Sequence, residues 1–153
     1  MTSKKISQLN SIIKKHHVEI IDLKCTDLIG KLHHISLPIS DITIEDIVKN
    51  GVGFDGSSYK FSKVENSDMI LVPDLDTAVI DPFREMPTLS FFTNIHLTDT
   101  KRSRFEQDGR FIATKAESIL MKHKIADQSW WGPEFEFYIF RKVERVRKDR
   151  NKS

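Results

Sequence analysis

The chain has 153 residues, enough for one domain with a hydrophobic core, or for one small domain and part of a second. Its hydrophobic fraction of 39% and formal net charge of +2 are ordinary for a folded protein and exclude a disordered chain. It has no stretch of about eighteen apolar residues, and its first ten residues lack the apolar core of a secretory signal. We therefore expect a cytoplasmic protein without a membrane partner.

The first third of the chain alternates helical and strand patterns. Apolar residues at helical spacing predict a helix around residues 6–13. The β-rich runs 18–23 and 35–37 predict two strands joined as a hairpin. A second short helix is expected after them, because Thr43 is a suitable cap and Gly51 a suitable stop.

The remaining elements follow in a similar alternation. Prolines separate three further predicted strands, at residues 69–72, 77–80 and 89–97. Asp108 is placed to cap a helix whose apolar residues share one face. The aromatic run 130–140 predicts a last strand.

Together these elements predict an α+β fold organised in two parts. Residues 1–105 are expected to form a small mixed sheet with packed helices. Residues 106–153 contribute a helix and a strand that begin an incomplete second domain.

A cluster of turn formers, GVGFDGSS, occupies residues 51–58. Three glycines free the backbone there, while Asp55 and Ser58 bring oxygen atoms. The pattern is typical of a plain Asx or type I turn, and it also fits a loop that presents a carboxylate for function. The residues alone leave both interpretations open.

The predicted last strand carries two carboxylates on one face. Residues two apart on a strand point the same way, so Glu134 and Glu136 lie side by side, opposite an aromatic face. Their Cα atoms would be roughly 7 Å apart, which suits two neighbouring hard ions such as Mg²⁺ better than chelation of one. The alternative is an exposed edge strand whose glutamates face solvent.

Other polar features are weaker signals. His33 and His34 are neighbours on a strand pattern, so their rings point to opposite faces and a structural role is expected for each. Cys25, the only cysteine, is expected to be a half-buried strand residue. Residues 141–153 carry seven basic and two acidic side chains, a charge of +5, which fits a solvated segment better than a nucleic-acid arm because no aromatic residue accompanies them.

Several of these segments resemble one known family. GVGFDGSSYKFSKVENSDMILVPDLDTAVIDPF (51–83) and KIADQSWWGPEFEFYIF (124–140) are similar to the amino-terminal part of type I glutamine synthetases of bacteria and archaea. DLKCTDLIGKLHHISLP (22–38) resembles the opening hairpin of the same family. The resemblance extends from about residue 6 to residue 140, with the segments in family order.

The resemblance implies a fold, an activity and site residues. The amino-terminal region would be a β-grasp-like domain of a homo-oligomer, a dodecamer in the family. Asp55 would enter a neighbouring subunit's site to bind ammonium and take its proton, with Ser58 beside it. Glu134 and Glu136 would be ligands of two Mg²⁺ or Mn²⁺ ions. With ATP, glutamate and ammonium as substrates, the enzyme would form glutamine through a γ-glutamyl phosphate.

The sequence also departs from the family. Lys60 replaces a usual glycine beside the Asp55 loop, and Gly109 replaces a usual proline at a helix start. The family's large catalytic domain, with its remaining metal ligands, arginines and nucleotide pocket, is not in this sequence. Two classes of function are therefore expected: part of a ligase that is inactive alone, or a non-catalytic interaction module or gene remnant.

Overall fold

A computed structural model describes residues 2–59, 61 and 67–144. Lys60 and the basic segment from residue 145 onward lie outside the described residues. The described elements, in chain order, are α1 (Thr2–Lys15), β1 (Ile20–Thr26), β2 (Leu32–Pro38), α2 (Ile44–Asn50), β3 (Val52–Asp55), β4 (Asp68–Pro73), β5 (Val79–Ile80), β6 (Thr88–Leu97) and α3 (Gly109–Lys122). Short 3₁₀ turns follow β3 at Gly56–Tyr59 and β4 at Leu75–Thr77.

The strands form one mixed sheet with β6 in the middle. Their order is β2-β1-β6-β4-β3, and β5 pairs with β6 beside this path. Only the β1–β6 pair is parallel; among the described strands the other pairs are antiparallel. β6 has ten residues, and its first half pairs with β1 while its second half pairs with β4. The predicted α+β class is confirmed.

Local signals explain where α2 begins and ends. The Thr43 hydroxyl accepts a hydrogen bond from the Asp46 amide at 3.1 Å, which satisfies one of the free amides of the first turn. At the other end Gly51 adopts a φ of 67°, a conformation that a side chain disfavours. A side chain there would also meet the Leu71 carbonyl oxygen at 2.8 Å from its Cβ. The helix therefore ends at a glycine for two reasons.

One hydrophobic core lies between the sheet and the first two helices. β1, β4 and β6 supply most of it, and α2 adds two isoleucines. The buried apolar residues are Leu9, Val18, Ile21, Leu23, Cys25, Ile44, Ile47, Phe61, Met69, Leu71, Leu89, Phe91 and Ile95. Cys25 is thus fully buried rather than half-buried, and burial raises the pKa of its thiol to about 12.

The sequence analysis missed one strand and predicted one that is not formed. β3 lies inside the stretch interpreted as a turn, with Val52 and Phe54 half-buried. Residues 126–144, which include the predicted strand 130–140, carry neither helix nor strand. A strand needs a hydrogen-bonded partner, and no described strand pairs with this segment. Its aromatic side chains, such as Trp130 and Phe135, are largely exposed.

The described helices include none that is both long and apolar enough to cross a membrane.

Candidate functional site

Asp55 is the last residue of β3, at the edge of the sheet. The chain turns immediately after it into the 3₁₀ turn Gly56–Tyr59, which leaves the Asp55 and Ser58 side chains exposed to solvent. The strand therefore holds the carboxylate at the rim of the sheet.

The turn orients the carboxylate through two of its serines. One oxygen, Oδ1, accepts a hydrogen bond from the Ser57 backbone amide at 2.9 Å. The other, Oδ2, accepts one from the Ser58 hydroxyl at 3.2 Å. This is the Asx-turn arrangement that the residue types predict, and it brings Asp55 and Ser58 into direct contact.

Hydrogen bonds from this region also lower the pKa of the Asp55 carboxyl. They hold the pKa of the Asp55 carboxyl at about 2, below its ordinary 3.8, with the Ser57 hydroxyl as the largest cause. The Ser57 amide and the hydroxyls of Ser67 and Ser58 act in the same direction. The carboxylate is ionised at neutral pH, as it would be at its ordinary pKa, and the hydrogen bonds fix its orientation, which suits binding of a cation.

Gly56 allows the turn to sit close to β4. Its amide donates to the Ser67 carbonyl at 2.7 Å, and its carbonyl accepts from the Phe61 amide at 2.9 Å. A Cβ at this position would meet Met69 Sδ at 2.6 Å and the Ser67 carbonyl oxygen at 3.1 Å. Only glycine fits here without displacing a neighbour.

Aromatic residues flank the turn in the chain and their rings contact one another. Phe54 precedes it and Tyr59 ends it, and their ring centroids are 5.3 Å apart. Tyr59 also stacks on the imidazole of His33, with centroids 4.2 Å apart and planes at 22°. Phe61 continues the contact to Phe105 at 5.5 Å. The Asp55 turn is thus a polar segment carried on an aromatic cluster.

The two glutamates predicted as metal ligands lie elsewhere. Glu134 and Glu136 are exposed on the irregular segment after α3, and no hydrogen bond or ion pair joins them to Asp55 within the described residues. Because the segment is not a strand here, the expected 7 Å spacing is not fixed. Carboxylate oxygens suit Mg²⁺ or Mn²⁺, so their chemistry fits such an ion. Within the described residues, no group of three or more His, Cys, Asp or Glu side chains could hold a metal.

The sequence analysis did not predict a second polar cluster, which is formed by residues of β1 and β2 together with Arg84. Asp22 is fully buried, and its Oδ1 contacts His34 Nδ1 at 2.7 Å and accepts from the Ser36 hydroxyl at 2.6 Å. Lys24 and Arg84 approach its other oxygen at 3.9 and 3.6 Å. Arg84 is far from Asp22 in sequence, so no local pattern predicts their contact. The alternation of side chains along β1 and β2 was the one signal that could have indicated this network. His33 and His34 have different partners, as predicted for neighbours on a strand.

The chain matches the family model described as glutamine synthetase, beta-grasp domain, over residues 17–98. It is similar to the glutamine synthetase of Azotobacter vinelandii, with 43% identity over 140 residues that make up 91% of this chain and 30% of that protein. It is also similar to the glutamine synthetase of Haemophilus influenzae, with 38% identity over 136 residues, 88% of this chain and 28% of that protein. The chain spans less than a third of these relatives' length.

Solved structures show the same fold. The cryo-EM structure of Plasmodium falciparum glutamine synthetase superposes with a TM-score of 0.65 over 77% of this chain and 23% of that chain, at 24% identity. A complex of GmaS with ADP gives a TM-score of 0.64 over 74% of this chain and 25% of that chain, at 19% identity. At these identities the likeness concerns the fold alone.

Proposed function

Because this chain belongs to the glutamine synthetase family, we propose that it is the amino-terminal portion of an enzyme that joins ammonia to glutamate with ATP. The observation that carries the proposal is the beta-grasp match over residues 17–98, together with the identity to glutamine synthetases along about nine tenths of the chain. The reaction would proceed through a γ-glutamyl phosphate, which ammonia converts into glutamine with release of phosphate. A catalytic domain of the complete protein would supply most of the contacts to ATP and glutamate.

Asp55 would bind the ammonium ion. Three features support this role: the side chain is exposed, the carboxylate is ionised at neutral pH, and hydrogen bonds with Ser57 and Ser58 fix its orientation. A fixed anionic group attracts a cation without having to reorganise when the cation arrives. Ser58 would keep Oδ2 in place and offer its own oxygen to the same ion.

Proton transfer places a further requirement on Asp55. A carboxylate with a pKa of about 2 is a weak base, whereas ammonium is a much weaker acid than a carboxylic acid. The arrangement described therefore favours binding of ammonium over removal of its proton. For Asp55 to accept the proton, its pKa would have to rise, either through loss of a serine hydrogen bond or through burial against a neighbouring subunit.

Glu134 and Glu136 would hold divalent cations, Mg²⁺ or Mn²⁺, as two of a larger set of ligands. Their oxygen chemistry and their exposure support this assignment. When bound, such ions neutralise charge on transferring phosphoryl oxygens. The remaining ligands would come from other parts of the complete enzyme.

The partner required by this proposal is a second copy of the protein. Asp55 lies at the rim of the sheet, away from Glu134 and Glu136 in the chain, so a homo-oligomer, dodecameric in the family, would bring the Asp55 of one subunit to the site of another.

We also propose a domain boundary at residues 105 and 106. Its support is that Phe105 packs against the core, whereas no described residue after Asp108 is buried.

A chimeric enzyme tests the proposed function. The matched residues of this chain would replace the corresponding segment of the Azotobacter vinelandii glutamine synthetase, and glutamine formation would be measured with ATP, glutamate, ammonium and Mg²⁺. We expect an assembled chimera that forms glutamine. An assembled chimera without turnover would contradict the proposal and favour a non-catalytic interaction module.

A further inference from the structure

The turn that carries Asp55 and Ser58 is held from one side by a ring of a distant strand. His33 belongs to β2, and Tyr59 is the last residue of the turn. The sheet order places β2 and β3 at its two ends, four interstrand steps apart, which is roughly 19 Å in a flat sheet. The 4.2 Å stack between the two rings therefore joins the two edges of a curled sheet.

His33 is itself held in a defined orientation. Its Nε2 lies 3.0 Å from Asp27 Oδ2, and its side chain is 17% exposed. The other oxygen of Asp27 accepts from the amides of Ile29 and Lys31, so the same carboxylate shapes the β1–β2 turn. The imidazole is therefore held in one orientation, and the Tyr59 ring stacks on it.

The Tyr59 ring is partly buried and packs against the hydrophobic core. It also contacts Phe54, which is half-buried, and Phe61, whose centroid is 6.2 Å away. Both belong to the same local segment as the turn. Among the ring contacts of the described residues, the His33 stack is the one that joins Tyr59 to β2, at the opposite edge of the sheet.

We propose that His33 is a positioning residue for the Asp55 turn: its ring, stacked on Tyr59, holds the turn in the conformation in which Ser57 and Ser58 orient the carboxylate. The effect of this role on the enzyme rests on the proposed function of Asp55 as an ammonium-binding group. The two variants that separate ring from hydrogen bond are His33→Gln, which keeps a donor for Asp27 but loses the stack, and His33→Phe, which keeps the stack but loses the donor.

The test is hydrogen exchange of backbone amides, measured by NMR on the 153-residue chain at neutral pH. The probe is the Ser57 amide, which donates to Asp55 Oδ1 at 2.9 Å. The internal control is the Ser103 amide, which donates to Asp99 Oδ1 at 2.8 Å in another exposed turn. We expect His33→Gln to speed exchange at Ser57 several-fold and leave Ser103 unchanged, and His33→Phe to restore the slow exchange.

Unchanged exchange at Ser57 in His33→Gln would overturn the proposal. So would faster exchange at both serines, since that is a general loss of structure, or equal loss in both variants, since the ring would then not matter. Should His33→Gln not fold, Tyr59→Leu removes the same stack from the other side and carries the same expectation. The exchange measurement uses no substrate, so its outcome is independent of whether the chimera forms glutamine.

Discussion

The carboxylate of Asp55 accepts a hydrogen bond from the backbone amide of Ser57, two residues further along the chain, at 2.9 Å. This bond exists because β3 ends at Asp55 and the backbone turns at once into a 3₁₀ conformation. Asp55 is exposed because it ends a strand at the sheet edge, and its carboxylate is held in one orientation because it accepts hydrogen bonds from its own turn. The proposed ammonium site depends on both properties.

The first prediction concerns the titration of this group. Ser57→Ala should raise the pKa of Asp55 from about 2 toward 3.8, because the Ser57 hydroxyl is the largest cause of the low value. Ser58→Ala should raise it less, because the Ser58 hydroxyl is the smallest of the causes that lower it. The measurement is the pH dependence of the Asp55 carboxyl carbon signal by NMR.

The same shift sets the sign of a stability effect. A carboxyl whose pKa is lowered by folding contributes stability that is complete above the unfolded value of 3.8 and lost as pH falls through about 2. Asp55→Asn should therefore reduce the acid sensitivity of unfolding in that interval.

For the titration itself, a larger rise of the Asp55 pKa in Ser58→Ala than in Ser57→Ala would contradict the assignment of causes.

The second prediction concerns the close approach of the turn to β4. Gly56→Ala should destabilise the fold by about 1–3 kcal/mol, because the new Cβ meets Met69 Sδ at 2.6 Å. Gly53→Ala is the matched control, since a Cβ there has no neighbour within 4 Å, and it should be neutral or slightly stabilising. Thermal and urea unfolding would measure both, and equal effects would show that the contact at Gly56 is not restrictive.

The third prediction tests the core on β6. Phe91 is 1% exposed, so Phe91→Ala should lower the free energy of unfolding by about 3–5 kcal/mol through loss of contacts and creation of a cavity. Phe83 is 93% exposed, so Phe83→Ala should change it by no more than about 0.5 kcal/mol. The pair holds the chemical change constant, and similar losses would contradict the described sheet packing.

The fourth prediction concerns the purified 153-residue chain by itself. We expect no glutamine formation and no γ-glutamyl transfer with ATP, glutamate, ammonium and Mg²⁺. The reason is that these 153 residues span less than a third of the length of the glutamine synthetases they match, so most of the proposed contacts to metal, ATP and glutamate lie outside them. Turnover by the chain alone, absent when Asp55 is changed to Asn, would contradict this expectation.

Much of the fold could be predicted from local sequence. The caps of α2 and α3 are short-range: the Thr43 hydroxyl accepts from Asp46, and the Asp108 carboxylate accepts from the Arg110 amide. Asp108 additionally accepts from the Ile95 amide at 3.1 Å, a contact to β6 that no local pattern indicates. Local rules therefore place the helix but not its attachment to the sheet.

The errors of the sequence analysis arise because a strand or a buried contact depends on which distant segments meet in the folded chain. β3 was missed because Gly53 and the flanking Gly51 and Gly56 suggest a turn. The alternation of Val52 and Phe54 was nevertheless a signal for a short strand, which pairs with β4. The strand expected at 130–140 has the right side-chain alternation, yet a strand exists only with a partner, which no sequence pattern supplied. The burial of Asp22 beside Arg84 depends likewise on which strands meet.

At the candidate site, the sequence indicated the turn and its carboxylate. It did not indicate that the Ser57 hydroxyl is the largest cause of the lowered pKa of Asp55, nor that His33 stacks on Tyr59. The second contact joins residues 26 positions apart through the curvature of the sheet, which depends on the register of all strands between them.

The most direct test of the account measures the ammonium dependence of the chimera with Asp55→Asn and, as the matched control, with Asp99→Asn. Both residues are exposed aspartates that accept hydrogen bonds from serines and have lowered pKa values, but only Asp55 lies on the β3 turn. We expect Asp55→Asn to lower kcat/KM for ammonium by about tenfold or more, because a hydrogen bond to a charged group contributes about 1.5–3 kcal/mol, and Asp99→Asn to leave it nearly unchanged. Equal, near-parental values in the two variants would contradict the assignment of Asp55 to the ammonium site.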